Sequence, residues 1–266
     1  MPAPNINNAT KKTEVPRARR WALRLGAICF WLIVWQVAAA AIGSRIILVG
    51  PLEVLARLGE LALDASFWRS IGISLARIAL GFATATVAAV LLAAAASRAR
   101  AVRELLAPLV GAVKAAPVAS FVILLLIWVP SRNLSVMISF LMTFPIVYTN
   151  VLEGIDQTDP QLLQMADVFG VRGWDRVRTV YAAEVLPYLR AGLSLAVGLA
   201  WKSGIAAEVI GLPDPSIGVH LYDAKVYLDT PDLFAWTLAI VALSVAIEAV
   251  LGRVLAAVER RWETRP

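Results

Sequence analysis

The chain has 266 residues, of which 59% are hydrophobic and 17% charged, and its mean hydropathy is +0.73. Soluble domains average about 45–50% apolar and about 25% charged residues, so the composition excludes an ordinary water-soluble fold. The net charge of +6 does not argue for nucleic acid, because membrane proteins retain Lys and Arg on one side of the bilayer. A lone Cys29 and a lone His220 rule out an internal disulfide and leave a poor donor set for a metal, and no cofactor is expected.

In chain order, residues 1–20 carry Lys11, Lys12, Arg17, Arg19 and Arg20 and read as a basic, disordered tail. An apolar run over 21–43 follows, with Trp21, Trp31 and Trp35 as interfacial anchors. It is long enough to span a bilayer and too long for the apolar core of a signal peptide. Residues 44–68 lead from Gly50-Pro51 into a short amphipathic helix with Leu55, Leu58, Leu61 and Ala62 on one face. Glu53, Arg57, Glu60 and Asp64 are too many charges to cross, so this helix lies at the interface. Further spans are expected at 70–96, 104–129, 134–152, 188–209 and 233–256. The fold class is therefore an all-α polytopic membrane protein with six transmembrane helices. With the N-terminus inside, the internal flanks hold fourteen Lys and Arg against five outside, which puts both termini in the cytoplasm. Ala83, Ala85, Ala88 and Ala89 crowd the second span, and Gly192, Gly198 and Gly204 recur in the fifth, so helix backbones are expected to approach closely.

Between the fourth and fifth spans lies a long amphipathic segment, 153–187. Thr158-Asp159-Pro160 is a capping residue followed by Pro at the first helical position. Leu162, Ala166 and Phe169 recur at helical spacing, and Gly170 reads as a helix stop in a left-handed conformation. A second helix carries Trp174, Val177 and Tyr181 on one stripe and is ended by Leu186-Pro187. A helix, a glycine bend and a helix with an apolar face can lie on lipid or dock a soluble partner.

This loop resembles the EAA motif of ABC-importer permeases. Met165-Ala166-Asp167 stands for the acidic triplet, Val168 and Phe169 precede Gly170, and Leu186-Pro187 comes sixteen residues after that glycine. No Glu occupies the first position of the triplet, and Asp takes the place of Ala at the third. Ser74-Leu75-Ala76-Arg77, Gly81-Phe82, Ala116-Pro117 with Trp128, Phe144-Pro145 and Ala207-Glu208 are similar to the nitrate, taurine and alkanesulfonate branch, over residues 68–256. The resemblance implies a type I ABC-importer-like permease fold with a cytoplasmic coupling helix, in the plasma or inner membrane. It implies a homodimer, partnered by cytoplasmic ATP-binding ABC subunits and an extracytoplasmic solute-binding protein, with Met165, Ala166, Asp167, Gly170, Leu186 and Pro187 in the ATPase-coupling loop. The organisation is then a basic tail (1–20), a first span with an external amphipathic helix (21–67), a permease core (68–256) and a basic C-terminal tail (257–266). No G-x-x-x-x-G-K-[ST] phosphate loop occurs, so the chain has no ATP site of its own and no catalytic residues are expected.

Lys114, Lys202 and Glu208 fall within or near spans, where an ionised group costs roughly 2.5–3.5 kcal/mol. Lys202 and Glu208 lie on different sides of a helix and do not pair within it. Lys114, Trp201, Lys202 and Glu208 are candidates for lining a path for an anionic solute, or for interhelical ion pairs. Arg77 is expected to snorkel outward. Residues 211–232 form an external loop with a short helix, in which His220 is a hydrogen-bonder rather than a ligand. Two rivals remain. The coupling subunit of a vitamin-type energy-coupling transporter would carry Ala-Arg-Gly motifs, which are absent, and a membrane-embedded enzyme would need His, Asp, Glu or Ser clustered in spans, where no His occurs.

Overall fold

The computed structural model describes residues 17–263, and all regular structure among them is helical. Lys11, Lys12 and the end of the C-terminal tail lie outside the described residues, as does the side chain of Trp21. Helix α1 runs over Arg17–Ile42, so the basic tail turns helical at Arg17 instead of staying irregular up to the first span. Almost none of α1 is covered by the rest of the chain. Trp35 nonetheless meets Phe234, with ring centroids 5.8 Å apart. Helix α2 (Pro51–Ala62) is the expected amphipathic helix. Its inward stripe runs through Val54, Leu58 and Leu61, while Leu55 turns outward, because Val54 rather than Leu55 falls on the i, i+4, i+7 row. Arg57 clamps it to the start of α11 through Asp232 at 2.9 Å.

The centre is a layer of three long helices, α3 (Ala65–Arg98), α6 (Ser131–Asp156) and α9 (Ala182–Gly211), with α6 in the middle. Lipid tails are as apolar as Leu, so close packing rather than water exclusion holds such helices together. Small residues supply it. Ala85, Ala89, Ala93 and Ala96 are one buried row of α3. A Cβ at Gly81 would lie 2.2 Å from the Val136 carbonyl oxygen of α6. One at Gly204 would lie 2.6 Å from Ile78 and 2.7 Å from Ser139 Oγ. Ser139 in turn donates to the Ala200 carbonyl at 3.2 Å, tying α6 to α9.

The third span is not the single helix expected over 104–129. Helix α4 (Arg100–Ala115) and helix α5 (Val118–Leu125) meet at a 106° bend. Pro117 causes it. The residue before a proline is pushed out of the helical region, and Ala116 sits at φ −84°, ψ 141°. Among the described residues, therefore, five helices are long and apolar enough to cross, or six spans if the bent pair counts as one. Helix α10 (Ile217–Val226) lies beyond α9, and α11 (Thr230–Glu263) is the last span. Leu186-Pro187 does not end a helix either. Pro187 sits inside α9, so the chain runs helically from the loop into the fifth span.

Candidate functional site

Two regions at opposite ends of the three-helix layer carry the informative side chains. The first is the loop after α6. Asp159 caps helix α7 (Pro160–Val168) by accepting from the Gln161 amide at 2.8 Å, with Pro160 at the first position. Helix α7 ends at Gly170, whose φ of +70° is the left-handed conformation the sequence predicts. The Val171 amide donates to the Ala166 carbonyl at 2.8 Å and the Gly170 amide to Asp167 at 3.1 Å, the paired bonds of a Schellman stop. Gly173, at φ +59°, makes a second left-handed step into the single turn α8 (Gly173–Arg176). Arg176 then reaches back across the bend to Asp167 at 2.7 Å. A π-turn at Val177–Tyr181 leads on into α9.

The two faces of this loop differ sharply. Ala166 is 5% exposed and packs against the chain itself. Val168, Phe169 and Trp174 are 84%, 76% and 76% exposed, and Met165 is more than half exposed. Leu186 is half-buried and Pro187 exposed at the start of α9, away from this cluster in sequence. Apolar side chains grouped outside the span region mark a contact surface. Basic groups gather at the same end: Arg103 pairs with Asp156 and Arg190 with Glu259.

The second region joins α3, α9 and the segment before α10. Glu208 is fully buried. Ser74 donates to Glu208 Oε2 at 2.6 Å and itself accepts from the Ile217 amide at 3.0 Å. Arg77 does not snorkel outward. Its guanidinium stands 3.8 Å from Glu208 Oε1 and donates to the Pro215 carbonyl at 3.1 Å, because the buried carboxylate is the nearest group that compensates its charge. A Cβ at Gly218 would come 2.3 Å from the Glu208 backbone, so α10 lies directly on α9 there. His220 meets Ser70 at 2.9 Å and stacks on Trp236 at 4.4 Å. Sequence reasoning missed Ser74 and Gly218 as partners of Glu208. Ser74 and Arg77 share a face of α3 at i, i+3, which was the available signal.

The four charged or aromatic candidates separate. Trp201 is buried and donates to the Ile240 carbonyl at 3.2 Å. Glu208 belongs to the network just described. Lys202 is exposed on the surface of the protomer and has no hydrogen bond or ion pair among the described residues. Lys114 is exposed at the end of α4, beside the bend, and donates to Thr149 of α6 at 3.3 Å.

Long apolar helices packed through small residues define a polytopic membrane protein. Residues 85–264 match the family described as binding-protein-dependent transport system inner membrane component, and the chain belongs to that family: it is an ABC transporter permease of the inner membrane. It is 26% identical over 263 residues to the taurine transport system permease protein TauC of Escherichia coli (strain K12), covering 96% of this chain and 94% of that one. It is 27% identical over 205 residues to the nitrate import permease protein NrtB of Synechococcus elongatus, covering 73% of each. The bicarbonate transport system permease protein CmpB of the same species is 27% identical over 256 residues, covering 91% of this chain and 89% of that one. Among solved structures, a bacterial ABC transporter involved in the import of the acidic polysaccharide alginate matches with a TM-score of 0.58 at 15% identity, over 90% of this chain and 96% of that one, a likeness of fold alone. These relatives do not favour the energy-coupling alternative.

Proposed function

We propose that this chain forms, as a homodimer, the translocation pathway of an ATP-driven importer for a small anionic solute. A cytoplasmic ABC ATPase docks on the α7–α8 loop, and an extracytoplasmic binding protein delivers the solute at the α10 end. The observation that carries the reading is the loop. Its inner face is satisfied by Ala166 and the Asp167–Arg176 pair, while Val168, Phe169 and Trp174 project unpartnered from a glycine-bent, capped support. A rigid apolar knob of this kind needs a cleft in another protein. The chain contains no phosphate loop, so the energy source is a separate subunit. Both termini are assigned to the cytoplasm, on the side of the basic residues.

Anion selectivity rests on Lys202 and Lys114, unpaired with any carboxylate among the described residues and hence available to a passing charge. The relatives named for taurine, nitrate and bicarbonate agree with a solute carrying a compact oxyanion. The test is purification of the tagged permease with its co-expressed ATP-binding subunit. Wild type should retain that subunit, and Val168→Asp with Phe169→Asp should lose it while the permease still inserts. Retention of the ATPase by the double variant would refute the docking role.

A further inference from the structure

Beside the docking face, with Trp174 shared between them, is a cavity of about 670 Å³ between the loop and the ends of α3 and α6. Arg98, at the last turn of α3, and Arg176, on α8, both stand on its wall, together with Tyr181 and Asp156. The charge does not cancel locally. Asp156 is taken by Arg103, and Arg176 spends one amino group on Asp167. Arg98 has no ion pair among the described residues. The Arg176 Nε–H is shielded from solvent and has no hydrogen-bond partner, which is an unusual state for a guanidinium donor. Ala94, Ile155, Val177 and Trp174 add apolar wall, and Ser97 adds a hydroxyl. The cavity therefore combines guanidinium, phenol and hydroxyl donors with hydrocarbon at the ends of α3 and α6.

We propose that this cavity binds a phosphate group between Arg98 and Arg176, its two sources being the headgroup of an anionic phospholipid and free inorganic phosphate. Guanidinium groups match phosphate oxygens in geometry as well as charge. The occupant would touch α3, α6 and α8 at once, so it would brace the loop against the spans beside the docking face.

The test uses the full chain in detergent, with native mass spectrometry after addition of phosphatidylglycerol or phosphatidylcholine. Wild type should retain phosphatidylglycerol in preference to phosphatidylcholine. Arg98→Gln and Arg176→Gln should each lower that retention roughly fivefold. Asp167→Asn breaks the ion pair across the bend but leaves Arg176, and should bind as wild type does, which separates loss of the site from loss of loop geometry. Arg98→Lys should restore part of the retention lost in Arg98→Gln. Millimolar inorganic phosphate that displaces the lipid from wild type identifies a site open to free phosphate, and undisturbed lipid identifies a headgroup site. Equal binding of both phosphatidylglycerol and phosphate by wild type and the Arg98→Gln/Arg176→Gln double variant would overturn the proposal.

Discussion

Gly81→Ala tests whether close approach of α3 and α6 holds the molecule together. The new methyl carbon would stand 2.2 Å from the Val136 carbonyl oxygen and 2.9 Å from Ser139 Cβ. The first of these is backbone inside α6, so no side-chain rotation relieves it. Ordinary contact requires α3 to retreat by about 1 Å, and the neighbouring row of Ala85 and Ala89 leaves no slack. Overpacking of this kind costs about 1–3 kcal/mol. Gly72→Ala is the matched control, because nothing lies within 4 Å of its added carbon. Both changes gain the same helix propensity, about 1 kcal/mol. The difference between the two variants thus isolates the clash. Thermal unfolding of the detergent-solubilised chain should place Gly81→Ala roughly 5 °C below Gly72→Ala. If the two melt together, the helices have room that the packing denies, and the account of the core is wrong.

Lys202→Met should abolish most anion uptake and leave the melting temperature unchanged, since Lys202 is exposed and unpartnered; a fall in stability with normal uptake would reverse its role. Glu208→Ala should do the opposite and destabilise by about 2–4 kcal/mol, because Arg77 loses its counter-charge and Ser74 its acceptor; unchanged thermal unfolding of the purified chain would remove the network from the account. Asp64 caps α3, and the amide and hydroxyl of Ser66 hold its carboxyl below the usual carboxylate range. A lowered folded-state pKa gives stability that is full above the ordinary range and is lost as the pH falls through the lowered value. Protection of the Ser66 amide relative to its intrinsic exchange rate should therefore fall in acid in wild type and show no such pH step in Asp64→Asn. Cysteines at Asp214 and Val168 should be labelled from opposite sides of the membrane, the first from outside; labelling of both from one side would break the assigned topology.

Much of this was legible because it is local. The Gly170 stop follows from a glycine closing an apolar-periodic helix, and the Asp159-Pro160 start from capping chemistry. The amphipathic helix α2 announced itself through Pro51 and its charges. What was not legible depends on partners far along the chain. Glu208 meets a serine 134 positions away, and no periodicity in α9 encodes that. Prolines were ambiguous for the same reason. Pro108, Pro145 and Pro187 are tolerated inside helices, whereas Pro117 turns the chain by 106°. The difference lies in what each segment packs on, since neighbouring helices can satisfy the carbonyls that a proline frees. Leu162, Ala166 and Phe169 recur at helical spacing, yet Ala166 is covered by the chain while Phe169 and Val168 are exposed. A helical stripe alone does not say which of two adjacent faces the rest of the chain covers.

The measurement that bears most directly on the central claim is ATP-dependent uptake into proteoliposomes holding the permease with its ATP-binding subunit and binding protein. Gly170→Val is the variant to use. An added Cβ meets nothing within 4 Å, so the change acts on the backbone, which must keep φ near +70° for the loop to bend. A β-branched residue resists that conformation. Uptake should fall to the rate seen without ATP while the chain still inserts and melts near wild type. Uptake at the wild-type rate would mean that the bent loop does not transmit the energy of hydrolysis to the spans.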